Sequence, residues 1–322
     1  MTDSRNFVRK AGFLVCLLLL SGALLPGTAT ATEGGQSIYV PGGYGNFGMG
    51  SVPGPGFYFN DFAYWYNGTA TSKALLNGHL QVNASETVFA NTFEFTGVSS
   101  WTLFGGRYWG GVYIPVASAS LNAGATLSAF GQTIARNVSG SQFGMGDWYA
   151  IPFGLAWDHE NYHFDVFEGV NVPIGEYNVN NLVSIGHNIW AFDTNVGANY
   201  LNPKTGFTFG ANAGYIFNSF NSATQYQSGQ ELHLDAMVGQ YFSQTFAVGL
   251  VGYGYWQTTP DGGSGDLVGP FQGTAYGIGP AIQGIVMAGK TPIALELQWI
   301  DQFGVVNQFQ GNYLQFSGSF KF

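Results

Sequence analysis

The sequence predicts an all-β fold, a single antiparallel transmembrane β-barrel of about 12 strands, on three observations. Only 8% of the 322 residues are charged, against about 25% in a typical soluble domain, while 46% are hydrophobic and 17% aromatic. The N-terminus has the pattern of an export signal, and apolar and polar residues alternate along many segments. After the N-terminus no apolar run approaches the roughly 18 residues of a membrane-spanning helix, so strands should cross the lipid.

The export signal is the first element. Arg5, Arg9 and Lys10 give a positive region, residues 11–25 are apolar, and Ala29-Thr30-Ala31 is a small-residue cleavage site. We therefore expect a signal peptide over residues 1–31, cleaved near Ala31.

The mature chain that remains is acidic and free of cysteine. The single cysteine, Cys16, lies in the apolar part of the predicted signal, and Val15 before it is too large for the usual lipoprotein pattern. Six basic residues then stand against 17 acidic ones, a net charge of about −11, which argues against binding nucleic acid. Without disulfides, a closed barrel with every strand paired would supply the stability.

A Gly/Pro-rich segment, residues 32–56, precedes the first strand and has nine Gly and three Pro. It could enter the barrel lumen as a plug or lie disordered below the barrel. Residues 43–48 match G-x-G-x-x-G, but no predicted strand precedes them and no helix follows, which argues against a dinucleotide site.

Twelve strands follow by alternation, which makes residues 57–322 the barrel. The clearest is the sixth, where Trp190 and Phe192 should face lipid, while Asp193 and Asn195 face a wet interior. The predicted strands are 57–67, 86–96, 105–117, 147–158, 161–173, 188–200, 205–217, 230–241, 245–257, 273–287, 292–303 and 311–322.

The connections between strands support this count. Short ones fall at alternate positions, as periplasmic turns do, with the first turn predicted near 97–104 and the others at 158–161, 201–204, 242–244 and 288–291. Longer stretches rich in Gly, Ser and Asn suit extracellular loops, namely 118–146, 174–187, 218–229 and 258–272.

The last strand alternates Leu314, Phe316, Gly318, Phe320 and Phe322 with polar residues, as a strand between lipid and water does. A terminal phenylalanine in such a strand resembles the C-terminal sorting signal of bacterial outer-membrane barrels. The expected partners are thus outer-membrane lipid and the barrel-assembly machinery, the latter through the Phe322 strand.

One motif could indicate a hydrolase. Residues 159–163 spell H-E-x-x-H, in which a helix would place His159 and His163 on one face to bind zinc. The motif straddles a predicted turn and continues into a strand, where the two imidazoles lack this geometry. We therefore predict no catalytic residue, no metal site and no cofactor here.

Polar residues on the inward strand faces are the candidates for a lumen site. His233 lies between two acids at alternate positions and is interpreted as part of the lumen polarity rather than as a catalytic group. Arg107 could pair with Glu94 across neighbouring strands. The candidates are Glu94, Arg107, Trp109, Asp165, Asp193, Asn195, Glu231, His233, Asp235 and Glu296.

These residues allow two interpretations. They could form a hydrogen-bonded network that fills a narrow barrel, or they could line a channel, because 12 strands lie between the eight of a filled barrel and the 16 to 18 of an open pore. Inward aromatic rings would offer surfaces to flat or apolar solutes, although a one-residue shift in register would turn them towards lipid. These rings are Trp109, Tyr113, Tyr241, Tyr253 and Tyr255.

The ordered Gly/Pro motifs resemble a known family, the outer-membrane proteins associated with the meta-cleavage pathway of phenol degradation. The resemblance covers essentially the whole mature chain, although Ile174 stands where the family pattern has threonine. The motifs are Pro53-Gly54-Pro55-Gly56-Phe57-Tyr58, Gly146-Asp147-Trp148, Pro152, Ala156-Trp157, Val172-Pro173-Ile174-Gly175-Glu176-Tyr177, Val248-Gly249-Leu250-Val251-Gly252-Tyr253, Gly279-Pro280 and Gly311-Asn312.

The resemblance implies a bacterial outer-membrane barrel that imports hydrophobic or aromatic compounds, and it supplies no catalytic residues. We accordingly expect a passive uptake channel for a small apolar or aromatic solute. The alternatives are a non-transporting barrel whose loops bind a surface partner or serve envelope structure, and an outer-membrane hydrolase.

Overall fold

The computed structural model describes residues 37–72, 80–129, 132–266 and 272–322. The predicted signal peptide, 1–31, lies outside these residues. No helix in the described ranges is long and apolar enough to cross a membrane. The strands are β1 (Gly56–Ser72), β2 (Leu80–Leu103), β3 (Gly106–Ala129), β4 (Gln132–Met145), β5 (Trp148–His159), β6 (Tyr162–Val172), β7 (Ala191–Leu201), β8 (Phe207–Asn218), β9 (Phe220–Asn221), β10 (Tyr226–Gln227), β11 (Glu231–Ser243), β12 (Phe246–Gln257), β13 (Thr274–Ala288), β14 (Thr291–Val306) and β15 (Gln310–Lys321).

Twelve of these strands close into one antiparallel barrel, as predicted. Each pairs with its neighbour in the chain, and β1 closes the barrel by pairing with β15 from Tyr58 opposite Lys321 to Thr69 opposite Gln310. β4 pairs with β3 beyond the point where β5 joins it, and β9 and β10 form a small separate hairpin. Closure leaves no open strand edge in the lipid.

The barrel has an apolar outer surface and a polar interior. On β7, Phe192 is 45% exposed, whereas Asp193 next to it is 2% exposed and Asn195 is fully buried. The predicted alternation of β7 and β8 is confirmed, because exposed and buried positions alternate along both. Large rings at exposed positions form the lipid-facing surface expected of such barrels.

The region 118–146, predicted as a loop, instead contains strands. β3 continues to Ala129 and pairs with β4, with Val116 opposite Met145 and Ala129 opposite Gln132. Ala, Ser, Gly and Asn dominate this hairpin, and beyond the membrane both faces can meet water. The apolar contrast that identifies a membrane strand is therefore missing from its sequence.

The first short turn also lies later than predicted. β2 runs to Leu103, and Phe104 and Gly105 make the turn with φ values of 53° and 79°. The pairing of β2 with β3 shifts between Val98 and Thr102, which interrupts the alternation where the turn was predicted. The other four short turns lie at or within a few residues of their predicted positions.

Most of the described part of the N-terminal segment, residues 37–52, lies inside the lumen, and the exposed residues 53–55 lead to β1. The side chains of Gln315 and Gln298 donate hydrogen bonds of 2.8 Å to the carbonyl oxygens of Pro41 and Gly45. Gly50, at φ +66°, approaches β7 so closely that a Cβ would lie 2.6 Å from the carbonyl carbon of Ala198. These contacts hold the described residues of the segment against the inner wall of the barrel.

Candidate functional site in the lumen

A buried polar cluster lies on the inner face of the barrel wall. His233 on β11 places Nε2 3.0 Å from Oδ1 of Asp193 on β7, and Nδ1 3.5 Å from Oδ2 of Asp235. The three side chains are at most 3% exposed. Alternation points Asp235 to the same face as His233, and the β8 strand between β7 and β11 carries Gly214 opposite His233, which leaves room for the imidazole.

Tyr39 of the N-terminal segment packs on this cluster. Its ring lies nearly parallel to the imidazole of His233, with the ring centroids 4.4 Å apart and the planes at 17°. Its hydroxyl donates to Oδ1 of Asp235 at 2.9 Å and accepts from the backbone N–H of Gly42 at 3.1 Å. Tyr255 of the wall lies parallel to the Tyr39 ring at 6.2 Å.

Tyr44 makes a similar set of contacts with the other acid. Its ring is 5.4 Å from the imidazole of His233, with the planes at 9°. The hydroxyls of Tyr44 and Tyr149 both donate to Oδ2 of Asp193, at 3.1 and 2.8 Å. The wall therefore supplies the acceptors, and the segment supplies two of the phenolic donors.

An outer cavity of about 150 Å³ lies on the side of Tyr39 towards the long loops. Its lining combines aromatic rings with polar side chains, and the rings of Tyr66 and Tyr313 stack at 4.4 Å. The polar residues other than tyrosine are Ser37, Glu86, Ser184, His187, Gln302 and Gln308. A neighbouring cavity of about 190 Å³ extends under loop residues 177–189. The tyrosines that line the outer cavity are Tyr39, Tyr64, Tyr66, Tyr255 and Tyr313.

An inner cavity of about 200 Å³ lies on the other side of the cluster and is lined by Tyr44, Trp109, Tyr113, Asp165 and Phe167. The indole of Trp109 meets Phe167 edge to face at 5.2 Å. Because Tyr39 lines the outer cavity and Tyr44 the inner one, the rings around His233 separate the two cavities.

The two predicted partners Arg107 and Glu94 do not pair. Arg107 lies near the first short turn, forms an ion pair with Asp158, and donates to the carbonyl oxygen of Val52 at 2.8 Å. Glu94 instead accepts from Asn60 at 2.8 Å. The reason is register, since Arg107 lies opposite Thr102 and Glu94 lies opposite Tyr113.

The remaining predicted lumen residues are spread along the wall around the segment. Asn195 accepts from Asn212 at 2.8 Å close to the cluster, and Asp165 lies against Gly197 beside the inner cavity. Glu231 accepts from Ser37 at the outer end, and Glu296 from the backbone N–H of Phe47 at 3.3 Å. The structure thus groups Asp193, Asn195, His233 and Asp235, and places the others apart from them.

Loop 173–190 covers the outer mouth and is attached through Asp147, between β4 and β5. Its carboxylate accepts from the backbone N–H groups of Gly175 at 2.9 Å and His187 at 2.8 Å, and from Asn171 at 3.2 Å. Burial alone would raise the pKa of Asp147, but the hydrogen bonds and charge of His187 and the N–H of Gly175 hold it below its usual value.

The H-E-x-x-H motif adopts the predicted turn rather than a helix. β5 ends at His159, Glu160 has φ 53°, and β6 begins at Tyr162. His163 Nδ1 lies 2.6 Å from Oδ1 of Asp158. Among the described residues, no group of three or more His, Cys, Asp or Glu side chains is arranged to hold a metal ion.

Several residues of the site were not predicted from the sequence. Tyr39 and Tyr44 lie in a Gly/Pro-rich stretch without periodicity, so no pattern could place them in the lumen. By contrast, Gln298, Gln302 and Gln315 alternate with exposed apolar neighbours, and that signal could have identified them as inward residues.

Comparison with known sequences identifies the family. The family described as "Putative MetA-pathway of phenol degradation" matches residues 67–317. The chain belongs to this family. The match extends from β1 into β15, so it includes every barrel strand wholly or in part. No curated protein matches the chain.

Solved structures are also similar to this chain. The COG4313 outer membrane channel from Pseudomonas putida F1 is similar with a TM-score of 0.61 and 15% identity, covering 88% of this chain and 100% of that one. A FadL homologue from Pseudomonas aeruginosa has a TM-score of 0.45 and 10% identity, covering 92% and 99% of the two chains. At 15% identity, the first likeness establishes the barrel fold that this family member adopts.

Proposed function

We propose that this protein is a passive channel of the bacterial outer membrane for small apolar or aromatic solutes. The observation that carries the proposal is the pair of aromatic-lined cavities within one closed barrel, separated by rings of the N-terminal segment. The segment is held to the wall by single hydrogen bonds and ring contacts rather than by strand pairing. A modest shift of this segment would therefore join the cavities.

The lining favours flat solutes over sugars. Ring faces offer dispersion and stacking contacts to another aromatic molecule. Likeness to an outer membrane channel supports the transport part of the proposal. Passive flux needs neither a cofactor nor a catalytic residue, so we propose that the protein is not an enzyme.

The test is solute flux into liposomes that contain the refolded barrel, with phenol compared with a sugar. Phenol also crosses bare lipid, so empty liposomes set the background. Trp109→Ala and Asp193→Ala change the lumen and should alter the phenol flux. The matched control is Phe192→Ala, because Phe192 is adjacent to Asp193 but faces lipid, and this change should leave the flux unaltered.

Phenol flux equal to that of empty liposomes would contradict the channel. It would favour the non-transporting alternative, in which binding of a surface partner is lost when hairpin residues 118–146 are removed. Turnover of an ester that is lost in His233→Ala or His163→Ala would instead favour a hydrolase.

We also propose that lipid contacts the outer face and that the assembly machinery recognises the closing strand β15. Phe322 is 67% exposed and stacks on Phe57 at 6.2 Å, so its ring is available on the outer surface. Phe322→Ala should lower the amount assembled in cells while leaving refolding of the purified chain unchanged. Equal amounts of both proteins in the membrane would contradict this role.

A further inference from the structure

The N-terminal segment places two phenol rings against the wall in closely similar surroundings. Tyr39 and Tyr44 each lie nearly parallel to the imidazole of His233, and each hydroxyl donates to a buried carboxylate. Three features thus recur around each ring: a stacking partner, a buried carboxyl acceptor and further aromatic neighbours. The wall, rather than the segment, provides all three.

The acceptors are carboxyl oxygens that are shielded from water. Asp235 and Asp193 are 0% and 2% exposed, so a hydroxyl that reaches them does not compete with bulk solvent. Oδ2 of Asp235 lies 3.5 Å from Nδ1 of His233, so the same carboxyl group meets both the imidazole and the Tyr39 hydroxyl. A hydroxylated ring that replaced Tyr39 would therefore find the imidazole and the acceptor already in place.

The position of Tyr39 makes exchange with a solute geometrically simple. Its ring lines the outer cavity, whose volume of about 150 Å³ adjoins the ring directly. The segment in this region lies inside the barrel without joining its sheet, so Tyr39 can move without breaking a strand pair. A solute in the outer cavity is already next to the site it would take.

We propose that the lumen selects hydroxylated aromatic molecules, which take the place of the Tyr39 ring against His233 and donate their hydroxyl to Asp235. The Tyr39 side chain thus occupies the solute site and makes the contacts that a hydroxylated solute would make, and solute binding displaces it. The inference rests on the proposed function, which it narrows from aromatic solutes in general to those with a ring hydroxyl.

The experiment removes the Tyr39 side chain and measures whether a free phenol binds in the space it leaves. Tyr39→Ala removes the ring, and 4-methylphenol, the free equivalent of the tyrosine side chain, is titrated calorimetrically into the refolded barrel. Toluene, which lacks only the hydroxyl, is the matched probe. We expect 4-methylphenol to bind Tyr39→Ala about tenfold more tightly than toluene, as a hydrogen bond to a buried carboxyl oxygen would give.

Two controls separate the site from partition into detergent. Wild-type protein and Tyr58→Ala should bind 4-methylphenol more weakly than Tyr39→Ala, because the solute must first displace Tyr39 in both, and Tyr58 bonds to Gly54 at the rim of the barrel. In Tyr39→Ala combined with Asp235→Asn, the preference for 4-methylphenol should fall several-fold. If the alanine variant does not refold, Tyr39→Phe keeps the ring volume and should still bind 4-methylphenol better than wild type.

Equal binding of toluene and 4-methylphenol to the Tyr39 variants, or no binding above wild type, would overturn the proposal. Its failure is distinct from failure of the channel. If phenol and toluene cross wild-type barrels at equal rates and the selective binding is absent, the binding site is overturned but the channel is retained. Selective binding without flux supports the site and overturns the channel.

Discussion

The imidazole of His233 fits against β8 only because residue 214 is glycine. A Cβ at Gly214 would lie 2.1 Å from Nε2 of His233 and 2.6 Å from Oδ1 of Asn195. Gly214→Ala must therefore push the ring away from Asp193, and we expect it to destabilise the barrel by about 1–3 kcal/mol, as overpacking of a tight core does. Urea unfolding in lipid vesicles would measure the difference.

Gly284→Ala is the control for this prediction. Gly284 lies on barrel strand β13, and a Cβ there would meet nothing within 4 Å. The two substitutions have the same chemistry, so a difference between them reports the space around His233. Equal unfolding midpoints for both variants would contradict the tight fit.

Asp147 predicts a pH dependence of the loop over the outer mouth. Its pKa is lowered in the folded protein, so its contribution to stability is complete above the unfolded value and is lost as the pH falls through the lower folded value. At neutral pH, Asp147→Asn should speed amide hydrogen exchange in residues 173–190. The gap between variant and wild type should shrink as Asp147 protonates, below about pH 4.

Glu160→Gln serves as the control, because Glu160 is exposed in a short turn at the opposite end of the barrel and should leave exchange in this loop unchanged. Exchange that differs by the same factor at every pH would show that the charge of Asp147 does not hold the loop.

Single residues of the site were predictable only where a strand carried them. Asp193, His233 and Asp235 follow from alternation, since each lies on a strand with exposed apolar neighbours. The pairing of Arg107 with Glu94 was wrong because cross-strand contact depends on register, which alternation does not define. Tyr39 and Tyr44 depend on where an irregular segment packs.

At the scale of elements, the 12 barrel strands were predictable because lipid outside and polar groups inside impose alternating chemistry on each. The hairpin of β3 and β4 was not, since its part beyond the membrane lacks that contrast. Because that hairpin is rich in small residues, its sequence was interpreted as a loop. The N-terminal segment was left open for the same reason, because no periodic pattern connects it to the wall.

The barrel should fold without the N-terminal segment. Removing residues 37–52 leaves every barrel pairing intact, because none includes the segment. We expect this variant to fold and its single-channel conductance in planar bilayers to rise several-fold, since the groups that fill the lumen are gone. Replacing 122–139 by Asn-Gly shortens the outer hairpin without touching the lumen segment and should leave conductance near wild type. Conductance unchanged by removal of the segment would show that the loops, not the segment, limit flow.

At the scale of the whole molecule, closure and occlusion are carried by different parts of the chain. The barrel closes through β1 and β15, while the two cavities are separated by side chains of residues that precede β1. The barrel can therefore remain closed in lipid while its interior rearranges. This division makes a channel compatible with a lumen that is filled in the structure.

A disulfide between segment and wall would test whether that rearrangement is needed. A Cβ at Gly45 would lie 3.6 Å from Cβ of Val251 on β12, within the range of disulfides, and the only native cysteine, Cys16, lies in the predicted signal. In oxidised Gly45→Cys/Val251→Cys, phenol flux should fall to the level of empty liposomes and return on reduction. Each single variant under the same oxidant should keep its flux. Full flux through completely oxidised protein would mean that solutes pass beside a stationary segment, because the crosslink would prevent the shift that joins the two cavities.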